Sequence, residues 1–113
     1  MVNTRSKGRK AEKEWTQVLI QEKGFKPELI EIVKGSSKFN KQVDIFGEFD
    51  ILAIKDGVLH LYQVKCNRTA GSLKKLREWY KNNRHDLPKD TIIEVVVRYD
   101  NKRGSDKWKQ KKI

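Results

Sequence analysis

The sequence predicts an α/β protein, a single domain in which a small mixed sheet is flanked by helices. Three observations predict it. Two stretches, 8–23 and 72–83, carry apolar residues at helical spacing. Residues 47–65, GEFDILAIKDGVLHLYQVK, read as two apolar strands folded about one Asp-Gly. Residues 91–100, TIIEVVVRYD, form a near-continuous β-branched run, as expected of a strand covered on both faces. A chain of 113 residues is the length of one domain, and with 36% hydrophobic residues its core must be small.

The first helix places Ala11, Trp15, Val18 and Leu19 on one face; Glu22 is next on that stripe, so the apolar face ends there. Thr4 or Ser6 can cap its start, and Gly24 ends it. A short strand follows over 29–33, closing into Gly35-Ser36-Ser37, and 39–48 reads as a loop. In the hairpin, Asp56-Gly57 fits a two-residue turn that needs positive φ at both positions. Ile54 then pairs with Leu59, Leu52 with Leu61, and Asp50 with Gln63. After a loop over 67–72, Ser72 can cap a helix carrying Leu73, Leu76 and Tyr80, which ends near Asn82-Asn83 before Pro88. The crossover through this helix permits a parallel partner for the strand over 91–100. Residues 1–8 are expected to be a basic arm and 101–113 a basic polar tail.

Lysine and arginine number 26 against 15 acidic residues, a net charge of +11. The excess lies at the ends: Arg5, Lys7, Arg9, Lys10 and Lys13 oppose only Glu12, and Arg103, Lys107, Lys109, Lys111 and Lys112 oppose only Asp106. That distribution suits a polyanion, foremost nucleic acid. No stretch approaches the roughly 20 apolar residues of a membrane span, and the basic start has no apolar signal core after it. Cys66 alone cannot form an internal disulfide, which fits a reducing, intracellular setting. Two distant histidines and one cysteine give no zinc spacing.

Side chains alternate along a strand, so Asp50, Leu52 and Ile54 share a face with Leu59, Leu61, Gln63 and Lys65. That face is apolar near the turn and polar at its far end, where an acid, an amide and an ammonium converge. A structural ion pair there would contribute little net stability. A hydrolytic metal site would use the same groups. Asp50, the Gln63 amide oxygen and the Val64 carbonyl would hold a hard cation such as Mg2+, with Lys65 beside the attacking water.

The order of these residues, "FD", a hairpin, then "QVK", resembles the PD-(D/E)XK, or restriction-endonuclease-like, nuclease superfamily. The resemblance implies an αβββαβ core and a Mg2+ site, with Mn2+ able to substitute. Asp50 matches the first acid, Lys65 matches the lysine, and Gln63 takes the place of the second acid. The stretch KGRKAE, residues 7–12, resembles the first-helix motif of archaeal Holliday junction resolvases, whose glutamate joins the metal site and maps to Glu12. Gln63 is the departure: it offers an oxygen but removes a charge, which lowers metal affinity. Some relatives carry Gln-x-Lys, including the nuclease subunit of a cut-and-paste transposon system. The implied activity is endonucleolytic cleavage of DNA, branched or duplex, by a homodimer with two sites. The setting would be cytoplasmic or nucleoid-associated, with a virus or mobile element as a candidate source. A non-catalytic DNA-binding protein or subunit on the same fold is the alternative, and an RNA-binding protein using its basic ends is a weaker one.

Other residues are weighed on the same terms. Asp44 could be the metal acid if the hairpin register differs. Ser36 and Ser37 are either turn residues after Gly35 or, by the resemblance, near the active site. Lys38, Arg68, Lys74 and Lys75 join Arg5, Lys7, Arg9 and Lys10 as candidate phosphate contacts. Glu14 is expected to be solvated, Cys66 buried, and His60 packed. Trp79 and Tyr80 are adjacent on one helix and cannot both face inward, so one of them can stack on a base or join a dimer contact.

Overall fold

The computed structural model describes residues 4–33, 35–36, 41–42, 44–67 and 72–113, with the backbone alone at 4–8, 35–36, 41–42 and 105. The long helix α1 (Thr4–Gln21) precedes strand β1 (Ile30–Ile32), the two-residue strands β2 (Gly35–Ser36) and β3 (Lys41–Gln42), and the hairpin β4 (Ile51–Lys55) and β5 (Val58–Cys66). Helix α2 (Ser72–Asn83), strand β6 (Ile92–Arg98) and strand β7 (Trp108–Lys112) complete it. Five strands form one mixed sheet in the order β1-β4-β5-β6-β7, and β2 and β3 pair separately.

The hairpin forms in the expected register: Ile54 opposes Leu59 and Leu52 opposes Leu61. Its turn has φ 52° at Asp56 and 77° at Gly57, the left-handed pair that suits Asp-Gly. Strand β6 lies parallel to β5, with Val64 beside Val96 and Lys65 beside Val97. A parallel pair needs a long crossover, and α2 supplies it.

Alternation sorts the core into two layers. Ile51, Ala53, Tyr62 and Val96 pack under Trp15 and Leu19 of α1. Leu61, Ile93, Val95 and Val97 pack under Leu76 of α2, together with Phe49. Val95, Val96 and Val97 are all fully buried, so β6 is covered on both faces as its β-branched run predicts. Each such side chain removed from water contributes about 1.5–3 kcal/mol.

Three expectations need correction. Residues 4–8 are the first turns of α1 rather than an arm. Residues 101–113 are not a polar tail: β7 pairs antiparallel with β6, Val97 opposite Lys109. Trp108 and Lys111 are half-buried and Lys109, Gln110 and Lys112 exposed, so the strand has no two-residue apolar alternation for a sequence to show. Trp108 is the exception that anchors the strand, 5.0 Å from the Trp15 ring. The third concerns the loop over 39–48, which contains β3 and a tight turn: Ile45 bridges Phe49, with φ 52° at Phe46 and 77° at Gly47.

Candidate functional site

The ladder between β4 and β5 ends one residue before the expected Asp50–Gln63 pair. Ile51 is the register partner of Tyr62, and the Asp50 amide also donates to the Tyr62 carbonyl at 2.9 Å. Two residues thus oppose one, the pattern of a β-bulge. A bulge re-aims the side chain that strict alternation would assign, and Asp50 leaves the face it was expected to share with Leu52. Its Oδ2 accepts the Val64 amide at 2.8 Å. Val64 therefore meets Asp50 through its N–H rather than through its carbonyl.

The Asp50 carboxyl also hydrogen-bonds the side chain of Glu12 and feels the charges of Asp44 and Lys65. Glu12 is only 6% exposed, one position beyond Ala11 at the edge of the apolar stripe of α1. Burial pushes the Asp50 carboxyl above its usual range and the neighbouring Asp44 pushes the same way, while the Val64 amide, Lys65 and Glu12 pull it down by less. Asp44 is raised too, chiefly by burial and then by Glu48, against Lys65 and Lys75. The raised Asp50 carboxyl therefore lies beside a second buried acid side chain, Glu12.

Gln63 follows Tyr62 in β5 and is 8% exposed. Its Nε2 donates to the Glu48 carbonyl at 3.0 Å. That bond fixes the amide's orientation, because a flipped side chain would set oxygen against oxygen. The amide oxygen, Oε1, is then buried with no hydrogen-bond partner among the described residues. Leaving such an acceptor unmade costs about 1–3 kcal/mol; the indole N–H groups of Trp15 and Trp108 are the other buried side-chain polar groups without a partner among the described residues.

Among the described residues, no group of three or more His, Cys, Asp or Glu side chains is placed to hold a metal. Glu12 brings a second carboxyl to Asp50, while Gln63 precedes the residue whose amide binds Asp50. Magnesium keeps several waters and takes one or two protein carboxylates, so the Glu12 and Asp50 carboxyls are the donors that fit a hard divalent cation.

The basic residues flank this end of the sheet from both layers. Arg9 lies one helical turn before Glu12 and, like Lys10, is exposed. Across the sheet, Lys75 reaches Glu48 at 3.6 Å, and Lys74 beside it is exposed. Arg5, Lys7 and Ser36 are described by their backbone alone; Ser37, Lys38 and Arg68 lie outside the described residues.

Glu14 is half-buried and paired rather than simply solvated: its Oε2 accepts Arg98 Nε at 2.8 Å and lies 3.7 Å from Lys107 Nζ. Cys66 is half-buried rather than buried. His60 packs edge-on against Phe25, ring centroids 5.0 Å apart, as expected of a packing residue. Trp79 and Tyr80 both lie against the α2 layer, and the exposed aromatic of this region is Phe46, at 57%. Glu48 reads in the sequence as a loop acid, yet its backbone carbonyl orients Gln63; the sequence reading gives Phe46 no role. The signal available was Phe46-Gly47 bracketed by Ile45 and Phe49, a second Xaa-Gly turn.

Compared with known proteins, the chain matches no family model, no curated protein and no solved structure. Among the described residues, no helix is long and apolar enough to cross a membrane.

Proposed function

We propose that this chain is a metal-dependent DNA endonuclease with a restriction-endonuclease-like core of the PD-(D/E)XK type. It would hydrolyse phosphodiester bonds and select branched DNA in the manner of a Holliday junction resolvase. The observation that carries the reading is the buried, unpartnered Oε1 of Gln63, on the residue next to the amide that binds Asp50. A fold keeps such a cost most readily where a ligand offsets it.

Glu12, Asp50 and Gln63 would hold the cation, Mg2+ or Mn2+. A bound divalent cation would supply positive charge to the phosphoryl oxygens and acidify water. The Lys65 ammonium, close enough to act on Asp50, would orient the attacking water or stabilise the charge that develops on phosphorus. Water oxygen bonds to phosphorus, one P–O ester bond breaks, and two strand ends result. Arg9, Lys10, Lys74 and Lys75 would bind backbone phosphates, positioning the DNA without reading its sequence. Cutting a junction or both strands of a duplex takes two sites, which calls for a homodimer.

One observation favours a second reading, a non-catalytic DNA-binding protein or nuclease subunit: the described residues supply only a sparse acidic ligand set. One assay separates the two. Flap, fork, four-way junction, duplex and single-stranded DNA are incubated with magnesium or manganese. The nuclease cuts at least one of them and stops on Asp50→Ala or Lys65→Ala. Retention of DNA without cleavage, indifferent to both substitutions, would leave the binding protein.

A further inference from the structure

We propose that Phe46, backed by Trp79, is a stacking platform for a DNA base that has left the helical stack beside the cleavage site. The inference deepens the nuclease reading and rests on it for the identity of the ligand.

Phe46 stands in an unfavourable backbone. The turn is held by Gly47 N to Asp44 O at 3.0 Å, Glu48 N to Ile45 O at 3.1 Å and Phe49 N to Ile45 O at 2.9 Å. These bonds keep residue 46 at φ 52°, a left-handed position that costs an L side chain roughly 1–2 kcal/mol and is rarely taken by a bulky one. The hairpin turn has the same φ, 52°, filled by Asp56, the kind of residue that this geometry selects. Strain of this kind clusters where a side chain is needed for function. The ring is also 57% exposed, more than any other large hydrophobic among the described residues, so burial does not repay the strain.

The ring is nonetheless held in place. It stacks on Trp79 with centroids 6.5 Å apart and planes 23° apart. Trp79 is braced edge-on by Phe49, at 5.0 Å and 86°, and Phe49 is fully buried. An aromatic face fixed in this way loses little entropy on stacking with a flat partner.

The surroundings narrow that partner. Lys75 stands one helical turn before Trp79 and reaches Glu48 of the Phe46 turn at 3.6 Å, and the chain as a whole carries a net charge of +11. A protein contact wants a contiguous apolar patch of several hundred Å²; a single exposed ring on a basic protein suits a base with its phosphates. Phe46 is two residues from Glu48, whose carbonyl orients Gln63, so its Cα lies within about 7 Å of the Glu48 Cα by chain reach. A base on this ring would belong to a nucleotide close to the scissile phosphate. Branched DNA offers unstacked bases and continuous duplex does not, which gives a physical route to structure selectivity.

The test uses the full chain, a duplex carrying one unpaired adenine, and the same duplex fully paired, with binding followed by fluorescence anisotropy in chelator so that nothing is cut. The unaltered protein prefers the bulged duplex. Phe46→Ala and Phe46→Gly lose that preference by about 5- to 100-fold, the worth of one stacked base, keep their affinity for paired duplex, and retain the circular dichroism of the fold; Phe46→Tyr keeps the preference. Phe46→Gly relieves the strained φ, so its loss of binding cannot come from unfolding. Equal weakening on both duplexes, or none on either, overturns the platform. So does a loss of dimer on Phe46→Ala with bulge binding intact, which would assign the ring to a contact between copies. Cleavage by the unaltered protein with no Phe46 effect overturns the platform and leaves the nuclease. A Phe46-dependent bulge preference without cleavage supports the platform and overturns the nuclease.

Discussion

The two ends of the β4–β5 ribbon are built on the same backbone and carry opposite chemistry. One end closes with Asp56-Gly57, the other abuts Phe46-Gly47, and both turns show φ 52° then 77°. At the closing turn the residue type matches the geometry, and Lys55 and Asp56 pair at 2.9 Å in the open, Asp56 with 83% of its side chain exposed. At the open end a phenylalanine occupies the strained position, two carboxyls lie side by side, and an amide oxygen has no partner among the described residues. The turn end satisfies its own groups locally. The open end concentrates costs that folding alone does not require, and that asymmetry is why it is the candidate site.

The largest break in the comparison is chemical. Lys65→Met keeps the stem against the sheet and removes the ammonium; cleavage should fall by about 10²–10³-fold, the scale of one lost electrostatic stabiliser. Asp50→Asn should be as damaging to cleavage yet raise thermal stability in chelator at neutral pH. Burial raises the folded pKa of Asp50 above its ordinary 3.8, so its stability contribution is present below that value and lost as pH rises through the folded pKa. Asparagine stays neutral throughout. Thermal melts of both proteins across pH 4 to 8 should diverge as pH rises; parallel curves would remove the buried-charge argument.

The next effect is a conditional one. Gln63→Glu replaces the Nε2 donor with an oxygen facing the Glu48 carbonyl and adds a negative charge next in the chain to the amide that binds Asp50. In chelator the variant should melt below the parent. Magnesium should restore it and shift its melting temperature more than the parent's, because a ligand that binds the folded state stabilises it by mass action. Protons compete with the cation for the Glu12–Asp50 pair, so the magnesium shift should shrink for both proteins as the medium is acidified. A variant indifferent to magnesium would separate Gln63 from any metal.

Local rules made the turn end readable from sequence. Asp-Gly between alternating apolar strands fixes turn type, register and the Leu52–Leu61 pairing, and the structure follows each. At the open end the same alternation failed. The bulge at Asp50 depends on the Tyr62 carbonyl taking two amides, a relation between strands that no single segment encodes. Asp50, Gln63 and Lys65 were nevertheless singled out, because polar residues closing an apolar hairpin stand out by type. Their contacts were not legible: the Glu48 carbonyl that turns Gln63 is a backbone atom, silent in sequence. Strand β7 was missed because its lysines and glutamine carry no apolar alternation, and Glu14 because Arg98, its partner, is distant in the chain.

The smallest effects calibrate the contrast at the turn end itself. Asp56→Asn removes the charge and keeps a residue suited to left-handed backbone. Stability should change by no more than about 0.5 kcal/mol, since an exposed ion pair contributes little. Lys55 also keeps another neighbour, the Phe25 ring 6.0 Å from its Nζ. Asp56→Phe moves the open end's choice into the same φ without a tryptophan to stack on, and should cost roughly 1–2 kcal/mol. The difference between these two variants, read by denaturant unfolding, measures the strain that Phe46 carries in place. If phenylalanine at 56 were as well tolerated as asparagine, the left-handed turn would impose no cost on a bulky side chain. Phe46 would then need no functional reason to be where it is.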